Sequence, residues 1–191
     1  LPQSEFCAQR LQQGISGTGI TFLESQFVIN GAVICVFSPL GGIGVTSTAK
    51  GLAGRLPGFG DACLLDLNAD FGMVAEYLNI ANEQELVSQN MDSLPGSETM
   101  RTSKLALKYL DNLYAIDSTK SPTKPGYYLA LIAACRKEFQ FTVIDLPHTV
   151  TDESVRDALQ AADLVIALGD STPYCRRALI IFFDFATGAD G

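Results

Sequence analysis

The sequence predicts an α/β domain built on a doubly wound, mostly parallel sheet. Three observations carry that expectation. Apolar runs recur at 32–37, 62–67, 113–116, 141–146 and 164–168. They are apolar nearly throughout rather than alternating, the pattern of parallel strands covered on both faces. Helical stretches separate most of them, and strands alternating with helices wind into such a sheet. Finally, a turn holding Gly41, Gly42 and Gly44 joins the first strand to the first helix, as in a phosphate-binding loop.

Element by element, residues 47–56 follow the glycine turn as a helix, and 98–110 read as a second helix with Met100, Leu105, Leu107 and Leu110 as its apolar residues. Residues 127–139 form a helix followed at once by a strand. The helix at 152–162 opens on Thr151 or Asp152 as N-cap, with Glu153 in its first turn. Pro173 suits the first turn of a last helix running to residue 185. Residues 118–126, with Pro122 and Pro125, read as a loop. Residues 1–31, with Gly14, Gly17 and Gly19, read as a linker or the end of a preceding domain, and 20–29 as a strand or an attached arm. Residues 32–191 are then the main domain, expected to be cut short at its C-terminal end.

The chain has 191 residues, 47% hydrophobic and 18% charged, with a net charge of −8. That length supports one sizeable core. The acidic balance argues against nucleic acid as a partner, because nonspecific binding rests on basic surface. The only adjacent basic pairs are Arg136-Lys137 and Arg176-Arg177. The five cysteines, Cys7, Cys35, Cys63, Cys135 and Cys175, form no C-x-x-C pair, so they read as reduced core residues rather than a disulfide frame or zinc site. No apolar run is long enough to span a membrane, and no signal peptide is visible. The expected location is cytoplasmic.

Three segments carry candidate chemistry. The first is Ser38-Pro39-Leu40-Gly41-Gly42-Ile43-Gly44-Val45-Thr46-Ser47. In such a loop successive backbone N–H groups face one anion, a helix N-terminus adds partial positive charge, and the following hydroxyl, here Thr46, reaches Mg²⁺. Val45 stands where the phosphate-pairing lysine belongs. The competing reading is an ordinary glycine-rich turn. The second segment is Asp66-Leu67-Asn68-Ala69-Asp70-Phe71-Gly72, whose Asp66 ends a strand at the rim where open α/β sheets bind ligands. It would orient water or a metal there, or be a solvated carboxylate. The third is Val143-Ile144-Asp145-Leu146-Pro147, a Walker B-like strand whose Asp145 would hold Mg²⁺, or again be a solvated acid. His148, the only histidine, reads as facing solvent.

In this order the segments resemble the MinD/ParA class of P-loop proteins over residues 32–185. More narrowly they resemble its CpaE/TadZ branch, which serves assembly and polar placement of type IVb (Flp, tight-adherence) pili. Asp111-Asn112-Leu113-Tyr114 and Ala161-Ala162-Asp163-Leu164-Val165-Ile166 add to the match. The resemblance implies a P-loop NTPase fold with ATP and Mg²⁺ as cofactors. It assigns Gly41, Gly42, Ile43, Gly44, Val45, Thr46 and Ser47 to the nucleotide, Thr46 and Asp145 to the metal, and Asp66 to catalysis. It also implies pilus assembly or secretion proteins as partners, a homodimer, and a polar position or one peripheral to the inner membrane. Three positions depart from the family pattern. The signature lysine before the two glycines is Leu40, the usual loop lysine is Val45, and the second acid of the second motif is Asn68, which cannot act as a carboxylate. Asp70 would replace that acid only if the strand ran on to it. Weak or no hydrolysis follows. The other readings are an active partitioning or positioning ATPase and an interaction domain that binds no nucleotide.

Overall fold

The computed structural model describes residues 31–68, 106–117 and 126–187. The expectations for the N-terminal arm, for Asp70, for Cys7 and for the loop at 118–125 lie outside them. Within them the chain runs β1 (Ala32–Phe37), α1 (Val45–Ala53), a short 3₁₀ turn (Leu56–Gly58), β2 (Ala62–Asp66), β3 (Leu107–Leu110), β4 (Leu113–Asp117), α2 (Tyr127–Glu138), β5 (Phe141–Asp145), α3 (Glu153–Ala161), β6 (Leu164–Ala167) and α4 (Pro173–Thr187).

The strands form one sheet in the order β3-β4-β2-β5-β1-β6. All neighbours are parallel except β3, which runs antiparallel to β4. The centre, β2, β5 and β1, is apolar on both faces because helices cover both. On one face Ala49 and Ala53 of α1 pack on Val36, Leu64, Ala115 and Val143. On the other, Leu131, Ile132 and Cys135 of α2, Val155 and Ala158 of α3 and Phe182 of α4 pack on Val33, Cys35, Leu65 and Ile144. The doubly wound architecture is therefore as the sequence predicts.

One prediction fails. The stretch at 98–110 was expected to be helical, but Leu107–Leu110 is a strand; residues 98–105 lie outside the description. Leu107 and Tyr109 are half-buried while Lys108 and Leu110 are exposed, an alternation with period two. Leu110 pairs with Leu113, so Asp111 and Asn112 form a two-residue hairpin loop. Asn112 takes a positive φ of 62°, which asparagine tolerates better than most residues.

The N-terminal edge of the sheet is tied by Arg136 at the end of α2. Its guanidinium donates to Gly31 O at 2.9 Å, Ala161 O at 2.6 Å and Asp163 Oδ2 at 2.8 Å. Asp163 Oδ2 also accepts from Val33 N at 2.8 Å. Three segments that meet only in the folded chain are thus joined through one side chain. Gly31 has φ 67°, and a Cβ there would overlap the Arg136 carbonyl oxygen.

Candidate functional site

Because five strands are parallel, their carboxyl ends form one rim. The site lies where β1 and β5 end side by side, with Val36 in register with Asp145 and Leu146 N donating to Val36 O at 3.2 Å. From β1 the chain turns through residues 38–44 into α1. Ser38 is fully buried, and its hydroxyl accepts from Leu40 N at 3.2 Å, which fixes the first bend.

The glycines divide by what the backbone asks of them. Gly42 and Gly44 have φ of 78° and 94°, the left-handed region that disfavours any other residue. Gly41 has no such angle, and a Cβ added to it would meet no protein atom within 4 Å. Neither the bend nor packing requires glycine there, and the position opens outward at the rim. Gly44 is the N-cap of α1, with no side-chain cap bond and no acidic residue in the first turn. The leading N–H groups of that helix are left uncapped by any side chain, an arrangement suited to an anion.

The structure brings Thr46 and Asp145 together. A side-chain hydrogen bond joins them, and Asp145 is only 2% exposed. Burial pushes the Asp145 carboxyl up to about 6, and the Thr46 hydroxyl only partly offsets it. Asp66 is fully buried beside it in register, and its Oδ1 accepts from Asn68 N at 2.9 Å. Asp66 and Asp145 are therefore core-facing rim acids, not solvated ones. Val45 is half-buried and packs on the α1-side core, so an apolar contact replaces a cation at that position. Leu40 and Ile43 are half-buried, and Ser47 is exposed.

Sequence reading stopped β4 one residue short and missed Asp117. It is in register with Asp66, so Asp117, Asp66 and Asp145 line three neighbouring strands, spaced about 4.8 Å apart. The signal was present, since each of these strands closes on two apolar residues and an Asp or on Ala-Ile-Asp. Yet no group of three or more His, Cys, Asp or Glu side chains among the described residues converges to hold a metal alone. A cation here would take one or two carboxylates and complete its shell from water and phosphate, the habit of Mg²⁺ rather than Ca²⁺. Thr46, Asp145 and the bare loop fit that donor set.

His148 is exposed, as expected. Cys35, Cys63, Cys135 and Cys175 are free and buried. Burial, with Asp163 adding to it, pushes Cys35 up to about 12, and burial with the neighbouring Cys135 raises Cys63. Neither is a nucleophile at neutral pH.

The fold recurs in proteins of known structure. The chain aligns with MinD of Pyrococcus furiosus at a TM-score of 0.68, with 14% identity, covering 83% of this chain and 68% of that one. The chain has the MinD/ParA fold. A plasmid partition protein of Borrelia burgdorferi bound to AMPPNP aligns at 0.65 with 17% identity, covering 84% and 70%. In sequence the chain is 27% identical over 138 residues to the septum site-determining protein MinD of Synechocystis, which covers 70% of this chain. It is thus related to the MinD/ParA P-loop ATPases, and it spans about half of that relative's length (51%). No family model matches it. No helix among the described residues is long and apolar enough to cross a membrane.

Proposed function

We propose that this chain is a nucleotide-responsive protein of MinD/ParA type that holds ATP with Mg²⁺ and hydrolyses it slowly or not at all. The observation that carries the reading is the hydrogen bond between Thr46 and the buried Asp145, at the base of a glycine loop that leads into an uncapped helix. Backbone N–H groups of Gly42 to Ser47 would face the phosphates, Thr46 and Asp145 would hold the cation, and Asp66 would orient a water. Magnesium would supply charge neutralisation at the phosphates. Leu40, Val45 and Asn68 remove the cationic and acidic groups on which fast phosphoryl transfer depends.

The role that fits a binder with poor turnover is positional. The resemblance of the loop and of the Asp66 and Asp145 segments to CpaE/TadZ proteins supports assembly or polar placement of type IVb pili, with pilus or secretion proteins as partners. The relationship to MinD favours a second reading, an active positioning ATPase that cycles between monomer and dimer.

A thermal-shift titration of the full-length protein with Mg-ATP and Mg-ADP, combined with phosphate release, separates them. A ligand that binds only the folded state raises its apparent stability. A shift without phosphate release supports the first reading. Steady turnover abolished by Asp145→Ala supports the second. No shift at millimolar nucleotide contradicts both and leaves an interaction domain.

A further inference from the structure

The loop lacks cationic side chains at Leu40 and Val45, yet a nucleoside triphosphate brings several negative charges to a chain of net charge −8. The topology limits what else can supply positive charge. In a parallel sheet, each helix that follows a strand starts at the carboxyl rim and ends at the opposite edge. Lys50 lies in the last turn of α1, and Arg136 and Lys137 in the last turn of α2. Lys108 sits on the far edge strand and pairs with Asp111 at 3.0 Å. Among the described basic residues, only Arg156 of α3 and Arg176 and Arg177 of α4 lie near the rim-side start of a helix.

Arg156 stands among Asp152, Glu153 and Asp157; burial and Glu153 raise the Asp157 carboxyl, and the Arg156 charge offsets that only in part. Arg176 and Arg177 are different. The first turn of α4 has no acidic residue. Both arginines are exposed, and neither enters an ion pair or side-chain hydrogen bond among the described residues.

Their position is fixed by contacts to the strand that feeds the loop. Ala167 pairs with Phe37, and Leu168 N donates to Phe37 O at 2.8 Å, so β6 leaves the sheet beside the residue before Ser38. Asp170 then accepts from Thr172 N at 2.9 Å, and the Thr172 hydroxyl caps Cys175 N at 3.2 Å, which starts α4 at the rim. Further along, Phe182 stacks on Phe37 with ring centroids 4.3 Å apart. Cys175 is buried against Gly169, which turns the next two residues outward. Helical side chains lean toward the helix N-terminus, so both guanidinium groups are carried toward the rim next to the loop.

We infer that Arg176 and Arg177 supply, from the same chain, the positive charge to the terminal phosphate of a nucleoside triphosphate that Leu40 and Val45 no longer give. The inference rests on the nucleotide reading above and goes beyond it. Guanidinium groups suit this because they pair with phosphate oxygens in a fixed bidentate geometry.

The test is calorimetric titration of the full-length protein with Mg-ATP and Mg-ADP at low and high salt, for wild type, Arg176→Gln/Arg177→Gln and the control Arg156→Gln. Circular dichroism confirms that each variant folds. The double variant is expected to bind Mg-ATP about tenfold more weakly, with a smaller loss for Mg-ADP and a flatter salt dependence, while the control matches wild type. Wild type that binds Mg-ATP, alongside a double variant with the same affinity and salt dependence, overturns this inference alone. An equal loss in Arg156→Gln also overturns it, because a general surface charge would then be responsible. Wild type that binds no Mg-ATP overturns this inference together with the nucleotide reading.

Discussion

The hydroxyl of Thr46 and the carboxyl of Asp145 are hydrogen-bonded across the gap between the start of α1 and the end of β5, 99 positions apart in the chain (145 − 46). This contact joins the loop to the buried acid, an ionisable group where water is largely excluded. Burial raises the Asp145 carboxyl from 3.8 to about 6, so the fold favours its neutral form. The sign of the pH effect follows. Ionising Asp145 costs nothing extra below about pH 4, costs progressively more as pH rises to about 6, and costs roughly 3 kcal/mol above that. Asp145→Asn should therefore be more stable than wild type at pH 7.5 without magnesium, and the difference should shrink as pH falls to 4. Urea unfolding of both proteins across that range checks it, and parallel pH profiles would contradict it.

The three loop glycines should separate on mutation. Gly42→Ala and Gly44→Ala force a side chain into a left-handed backbone and should each cost about 1–2 kcal/mol of stability. Gly41→Ala should leave stability unchanged within about 0.5 kcal/mol, because its backbone and surroundings admit a methyl group, and should weaken Mg-ATP binding. Denaturant melts paired with nucleotide titration read both effects. Equal stability losses at all three positions would sink this division.

Arg136→Ala should destabilise the protein by about 1–3 kcal/mol, because three acceptors lose their donor, two of them backbone carbonyls. Arg136→Lys should recover little, since one ammonium cannot reach Gly31 O, Ala161 O and Asp163 together in the guanidinium's planar geometry. Full rescue by lysine in a urea titration would show that charge alone matters there.

Val45→Lys restores a cation at the position where the side chain now packs on the core. Binding of Mg-ATP should tighten about tenfold, at the expense of about 1 kcal/mol of stability for the lost apolar contact. Unchanged affinity would mean that the loop is not shaped around phosphate.

Much of this fold could be read directly from the chain, for a physical reason. Central parallel strands such as 141–145 must be apolar on both faces, and the glycine turn marks where β1 hands over to α1. The strand at Leu107–Leu110 escaped because its leucines also fit a helical spacing, and the Asp111-Asn112 turn that settles the matter counted only toward the family resemblance. Asp66 and Asp145 were found as strand-end acids, but their burial was not, because it depends on α1 and on neighbours distant in sequence. The apolar packing of Val45 is likewise a tertiary fact. The loss of lysine is visible in the chain, and the contact that replaces it is not.

In the proposed function, backbone amides, with Thr46 and Asp145, grip a magnesium-bound phosphate. A crystal structure of the full-length protein grown with excess ATP and magnesium tests that most directly. It should show phosphate oxygens within hydrogen-bond distance of N–H groups between Gly42 and Ser47, and a cation beside Thr46 and Asp145. An empty or collapsed loop, with Thr46 still bonded to Asp145, would contradict it.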